Sequence, residues 1–186
     1  MDFLIFLAII TVVAVMVIGI YNRIIALKHN RKNAYSDIDV QLKQRFDLIP
    51  KLVEIVKGYA EHESKTFENI TEARASVGNA QSEGERIKAE SMLGGALMGL
   101  FAVAENYPDL KADKNFQQLM TELSDIENKI AAARRFFNNA TNEYNTAIQQ
   151  FPANVLAGLF HFQTEEYYEL DGREAQAIQQ GPEVKF

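Results

Sequence analysis

Three histidines, His29, His62 and His161, and no cysteine make up the chain's whole stock of imidazole and thiol groups. Glu61-His62-Glu63 begins like a helical zinc-protease motif, but Thr66 stands where the second histidine must be. Bundle proteins that hold two irons use Glu-x-x-His; here the residues three before His62 and His161 are Tyr59 and Gly158. The chain carries no Walker loop and no G-x-S-x-G elbow. These residue types therefore predict no catalytic, no cofactor-binding and no metal-binding residues, and no enzyme. One polar constellation stands out: Asp37, Asp39, Arg45 and Asp47, with Arg134 and Arg135. Arg45 falls on an apolar seam, where an unpaired guanidinium is prohibitive, so it must meet a carboxylate or helix-end carbonyls from another helix. Such a pair either fixes helix register or belongs to a binding site.

The elements that must position these groups are helices. Phe116, Leu119, Leu123, Ile126, Ile130, Ala133, Phe137, Ala140, Tyr144, Ala147 and Phe151 recur at alternating spacings of three and four. That seam predicts one helix from about Lys114 to Gln150, roughly 55 Å long. Asp113 is its expected N-cap, and Pro152 ends it. Phe136 and Phe137 are adjacent, so one narrow seam cannot bury both. A second seam, Ile38, Leu42, Arg45, Ile49, Leu52, Val56 and Tyr59, predicts an earlier helix, interrupted by a kink at Asp47 to Ile49 before Pro50 and running on through Phe67, Ile70, Ala73 and Val77. Lys43–Asp47, Asp47–Lys51 and Glu61–Lys65 have the spacing of exposed helical ion pairs. Residues 78–84 read as a loop, and Glu85 to about Asn106 as a third helix. Gly94, Gly95 and Gly99 lie within it, which predicts close approach of a neighbouring helix, or else a break near Gly94. Tyr107-Pro108-Asp109 reads as a turn.

Before all of this lies Phe3 to Tyr21, an uncharged and proline-free apolar run. Nineteen residues at helical rise cover roughly 28 Å, close to the hydrocarbon thickness of a bilayer. A secretory signal would start with basic residues and end at a small-residue cleavage site. Here Asp2 precedes the run and Asn22-Arg23-Ile24-Ile25 follows, so the expectation is an uncleaved anchor. Nothing from Tyr21 to Tyr35 breaks a helix, so the anchor should continue into the first soluble helix. Arg23, Lys28, Arg31 and Lys32 follow the span before any acid. The positive-inside rule then places the N-terminus outside and the C-terminal domain in the cytoplasm.

The formal charge is −6, with the acids concentrated after residue 160. No basic stripe exists for nucleic acid. Residues 155–162, VLAGLFHF, form a short helix that either covers one end of the bundle or touches lipid or a partner subunit. The fold class expected is all-α: an N-terminal transmembrane helix continuing into an antiparallel bundle of long helices, then an extended C-terminal tail. The domains are 1–22 (anchor), 23–162 (bundle) and 163–186 (acidic tail).

The block from Tyr21 to Glu63, YNRIIALKHNRKNAYSDIDVQLKQRFDLIPKLVEIVKGYAEHE, closely resembles the signature of the LemA family of bacterial membrane proteins. ENYPDLKADKNFQQL (Glu105 to Leu119), IAAARRFFNNATNEYNTAIQQFP (Ile130 to Pro152) and the closing PEVKF match in the same order. The resemblance implies a single anchor in the bacterial inner membrane followed by a cytoplasmic helical bundle. It delivers no reaction. It does imply associations with a membrane protease of the HtpX type, and with the building of magnetosome membranes by relatives of the fold. Two functional expectations follow. One is a self-associating scaffold, a homo-oligomer that organises or shapes the lipid bilayer. The other is an adaptor recruiting a membrane protein partner such as that protease or an envelope-stress component.

Overall fold

The helix that begins at the apolar run does not stop at the membrane boundary. In the computed structural model, which describes residues 1–168 apart from the side chain of Glu83, α1 spans Asp2–Tyr59 without interruption. It is followed by α2 (Ser64–Asn79), α3 (Glu83–Glu105), α4 (Pro108–Ala112), α5 (Lys114–Gln149) and α6 (Ala153–Leu159). No strand occurs among the described residues. The acidic tail beyond Tyr168 lies outside them. The chain divides into two compact units, and α1 and α5 contribute to both.

One unit contains Met1–Asp39 and Ala131–Tyr168. Its core is built where α1 and α5 face each other. Ile24, Tyr144, Ile148 and Ala157 are buried together, and Ile20, Leu27, Ala153 and Phe162 pack around them. Further along, Phe137 is buried against the ring of Tyr35, 5.7 Å between centroids. α6 turns back beside α1 after a cis Phe151–Pro152 peptide. The N-terminal part of α1 has no such cover. From Met1 to Ile20 only Val17 and Ile20 are even partly shielded.

The other unit contains Val40–Ile130. Here α1 supplies Leu42, Leu48, Ile49, Leu52 and Val56; α2 supplies Phe67, Ile70 and Ala73; α3 supplies Leu93, Leu97 and Leu100; α5 supplies Phe116, Leu123, Ile126 and Ile130. The seams expected from spacing are thus the buried stripes. Both α1 and α3 are long and apolar enough to cross a membrane. They differ in that α3 packs its leucines into this core.

Several expectations need correction. Pro50 lies inside α1 and does not end it. Buried Leu48, Ile49 and Leu52 flank it and hold both sides of the proline on one seam. α1 ends at Tyr59, so Phe67 to Val77 do not continue it but fold back as α2. The polar run Glu61-His62-Glu63-Ser64 turns the chain, and Arg74 then stacks on Phe46 while Lys57 lies over Phe67. This antiparallel return covers the wide apolar face of α1, which a straight helix would have left in water. The loop read at 78–84 shrinks to 80–82, because Ser82 caps α3. Its Oγ accepts the Glu85 amide at 3.2 Å, and the Glu85 carboxylate accepts the Gln81 amide at 3.0 Å. The turn at Pro108 is followed directly by the short helix α4, with proline in its first turn. Tyr59 and Phe151, placed on the seams by spacing, are 41% and 82% exposed, and of the adjacent pair Phe136 is the one left 50% exposed. Phe151 lies past the end of α5, and Phe137 takes the buried side that Phe136 cannot share.

The glycines of α3 also depart from expectation. A Cβ added at Gly94, Gly95 or Gly99 meets nothing within 4 Å, and the helix runs through all three. No neighbour among the described residues explains them. Within a single chain each glycine weakens the helix, so Gly95→Ala and Gly99→Ala should each stabilise that chain's fold by about 1 kcal/mol, read as a higher urea midpoint.

Candidate functional site

Two polar arrangements interrupt the apolar packing, one in each unit. In the unit formed by Val40–Ile130, Arg45 on α1 is 3% exposed and Glu90 on α3 is 1% exposed. The Arg45 Nη2 donates to the Glu90 carboxylate and, at 3.2 Å, to the Glu90 carbonyl; Nη1 donates to the Glu127 carboxylate on α5 at 2.8 Å. Burial alone favours the neutral guanidine. The Glu127 and Glu90 carboxylates outweigh it and hold the Arg45 pKa above its ordinary value. The expected carboxylate partner for a seam arginine is therefore present, contributed by two other helices. The rest of the expected constellation does not join it. Asp47 pairs with Lys43 at 3.0 Å on the surface. Asp37, Asp39, Arg134 and Arg135 belong to the other unit, where Arg134 stacks on the Tyr168 ring at 4.8 Å.

The signal for Glu90 was legible in principle. It sits three residues before Leu93 on the seam of α3, an acid among apolar positions just as Arg45 is a base among them. Three helices meet at this charge cluster, and a shift of α1 against α3 would leave a charge unpaired in the interior.

The second arrangement is built on α5. Asn138 and Asn145 are seven residues apart, two turns, on the same side of the helix. Each grips the backbone of one residue in the extended segment after Phe162. Asn145 accepts the Glu165 amide at 2.8 Å and donates to its carbonyl at 2.9 Å; Asn138 does the same for Tyr168 at 2.8 and 3.1 Å. Two amide side chains thus stand in for a neighbouring strand. The Tyr144 hydroxyl donates to the Gln163 carbonyl, and the Arg31 guanidinium donates to the Glu166 carbonyl and pairs with the Glu165 carboxylate at 3.3 Å. Desolvation, then the nearby Glu165 charge, raise the Tyr144 pKa, so the phenol stays protonated as donor. The arrangement holds an extended peptide largely through its backbone. The repeated pairs Phe137-Asn138 and Tyr144-Asn145 carry the pattern: an aromatic ring packed inside, an amide beside it facing the strap.

Asp113 caps α5 as expected, accepting the Phe116 amide at 2.9 Å, and also accepts the Tyr59 hydroxyl at 3.0 Å. The Phe116 amide first, then the Tyr59 hydroxyl, lower the Asp113 pKa. A folded-state pKa below the unfolded one means that the native state binds fewer protons. This contribution is complete above the unfolded pKa of about 4 and is lost as pH falls through the folded value. Asp113→Asn keeps the cap without the charge, so between about pH 5 and pH 3 its melting temperature should fall less than that of the native protein.

His29, His62 and His161 are all exposed, and among the described residues no three His, Asp or Glu side chains converge on a metal-sized point.

A long apolar N-terminal helix that runs directly into antiparallel helices, with the chain after them strapped back onto two of those helices, defines an all-helical bundle with a candidate membrane helix. The chain belongs to the LemA family, whose sequence profile matches residues 34–186. It is similar to the magnetosome protein MamQ of Magnetospirillum gryphiswaldense, 25% identical over 174 residues, covering 80% of this chain and 64% of that protein. It is also similar to protein LemA of Metamycoplasma hominis, 29% identical over 141 residues, covering 75% of this chain and 64% of that protein. The chain thus spans somewhat less than two thirds of the length of these relatives.

Proposed function

We propose that this protein is a membrane-anchored scaffold that works by associating with further copies of itself, without catalysing a reaction. The anchor is α1, whose first turns carry Phe3, Leu4 and Val12 with no protein cover. Such a surface is stable in hydrocarbon and not in water. By the positive-inside rule the bundle lies in the cytoplasm of a bacterial cell, behind Arg23, Lys28, Arg31 and Lys32.

The observation that carries self-association is the outer face of α3. Met92 and Met98 are 54% and 72% exposed, with Gly95 and Gly99 open beside them. Small residues four apart on an apolar helix let a second helix approach closely, and flexible methionines fill the gaps around it. Anchoring many copies in one membrane raises their local concentration, which favours such weak contacts. The similarity to MamQ, a magnetosome protein, supports a role in organising membranes. Full-length protein in mild detergent should give a particle mass of several chains, and Gly95→Leu with Gly99→Leu should reduce it towards one. A single-chain mass at every concentration would refute the proposal.

The adaptor reading draws on a different surface. α1 and α2 border an open groove of about 580 Å³ lined by Phe46, Val53, Ile70 and Arg74, among others. Its mixed apolar and cationic lining suits an amphipathic helix of a membrane partner. A stoichiometric partner crosslinked to a label at Val53→Cys would favour this reading over self-association.

A further inference from the structure

We propose that α6 and the turn after it form a foot seated in the lipid interface, with Phe151, Val155, Leu159 and Phe160 entering the boundary between headgroups and acyl chains. The inference rests on the reading of α1 as a membrane anchor and says what a second part of the chain does at that membrane.

Position is the first argument. Tyr21 is the last residue of the uncharged run, and Arg23 follows it within two residues. Tyrosine at the end of a span favours the headgroup level. The Phe160 ring meets the Tyr21 ring edge-on at 5.0 Å, and the Phe162 ring lies 5.8 Å away. Ala157 is buried with Ile24, one turn beyond Tyr21. The foot is therefore docked on α1 at the level where the span leaves hydrocarbon.

The second argument is which side chains remain outside. Ala157 faces the core with Ala153 beside it, while Phe151, Val155 and Leu159 are 82%, 63% and 69% exposed. From Phe151 to Phe162 there is no Asp, Glu, Lys or Arg. A surface this apolar, adjoining a bilayer, is covered by that bilayer.

The backbone is suited to the same place. A lipid interface penalises unpaired amides. The Asn154, Val155, Phe160 and Phe162 amides donate to Gln150, Pro152, Leu156 and Ala157 carbonyls. The last of these closes α6 because His161 adopts a left-handed φ of 57°. Arg23 and Lys28, on the adjoining turns of α1, supply positive charge for anionic headgroups.

The absence of cysteine allows single-site labelling. Full-length Val155→Cys and Leu159→Cys variants would carry an environment-sensitive fluorophore in vesicles of mixed phosphatidylcholine and phosphatidylglycerol. Ile10→Cys reports on the anchor, and Ser36→Cys, fifteen residues beyond Tyr21 on α1, reports on water. The expected result is blue-shifted emission at positions 155 and 159, quenched most by lipid nitroxides near the headgroup. Position 10 should be quenched most by nitroxides near the chain ends, and position 36 by neither. Water-like emission at 155 and 159 with position 10 still quenched would overturn the foot and leave the anchor standing. Loss of quenching at position 10 would remove both. A blue shift at 159 without lipid quenching, accompanied by energy transfer between copies, would assign the surface to a second subunit and overturn the proposal.

Discussion

Arg45→Met should destabilise the protein by about 3–5 kcal/mol. The reason is Glu90. Its Oε2 accepts from Arg45, and its buried Oε1 has no hydrogen-bond partner among the described residues. Without the guanidinium, a carboxylate that is 1% exposed must either stay charged in the interior or take up a proton. Glu127 contributes less, because its side chain is 44% exposed and water screens it. Adding Glu90→Leu to Arg45→Met removes the stranded charge and should recover at least about 2 kcal/mol, since well-packed apolar replacements of buried ion pairs are often neutral. Urea denaturation of the native protein, both single variants and the pair, measured in detergent, gives the coupling energy directly. If Arg45→Met shifted the unfolding free energy by less than about 1 kcal/mol, the interior ion pair would not be what fixes these helices.

Replacing Asn138 and Asn145 together by alanine should release the segment from Gln163 to Tyr168 while leaving the helices folded. The pair makes four hydrogen bonds to that segment's backbone. At roughly 0.5–1.5 kcal/mol net for each, the sum is about 2–6 kcal/mol, enough to turn a docked strand into a detached one. Hydrogen exchange reads this out locally, because the Glu165 and Tyr168 amides are the two that donate to the asparagines. Their exchange should accelerate by about a hundredfold or more, each tenfold corresponding to 1.4 kcal/mol, while amides in the middle of α5 keep their protection. Equal acceleration along α5 would mean that the asparagines support the helix pair as a whole, not the strap. Each single variant should give an intermediate effect, larger for Asn145, which is 7% exposed and next to the buried Tyr144.

Much of the fold was legible because helices are read from local spacing. The alternating three-four pattern from Phe116 to Ala147 located α5 to within a residue of its observed end, and Asp113 as its cap follows from chemistry confined to one turn. The seam from Ile38 to Val56 is likewise the buried stripe of α1. The misses share a cause. Whether Phe67 to Val77 extend α1 or fold back depends on which apolar face can be covered, and both choices have the same period. The same ambiguity misplaced Tyr59, whose spacing fits a seam although it is 41% exposed. The glycines of α3 imply small volume, but not whether a neighbour fills it.

By itself the sequence determined the membership in the LemA family, the all-helical class, the apolar N-terminal run and the need of Arg45 for a carboxylate, because each depends on residue type and near neighbours. Only the tertiary structure decided that Glu90 and Glu127 supply that carboxylate, that Asn138 and Asn145 hold the chain after Phe162, and that α6 stands beside Tyr21. Those contacts join residues 20 to 139 positions apart. A helical period says which side of each helix is apolar, but not which other helix will meet it.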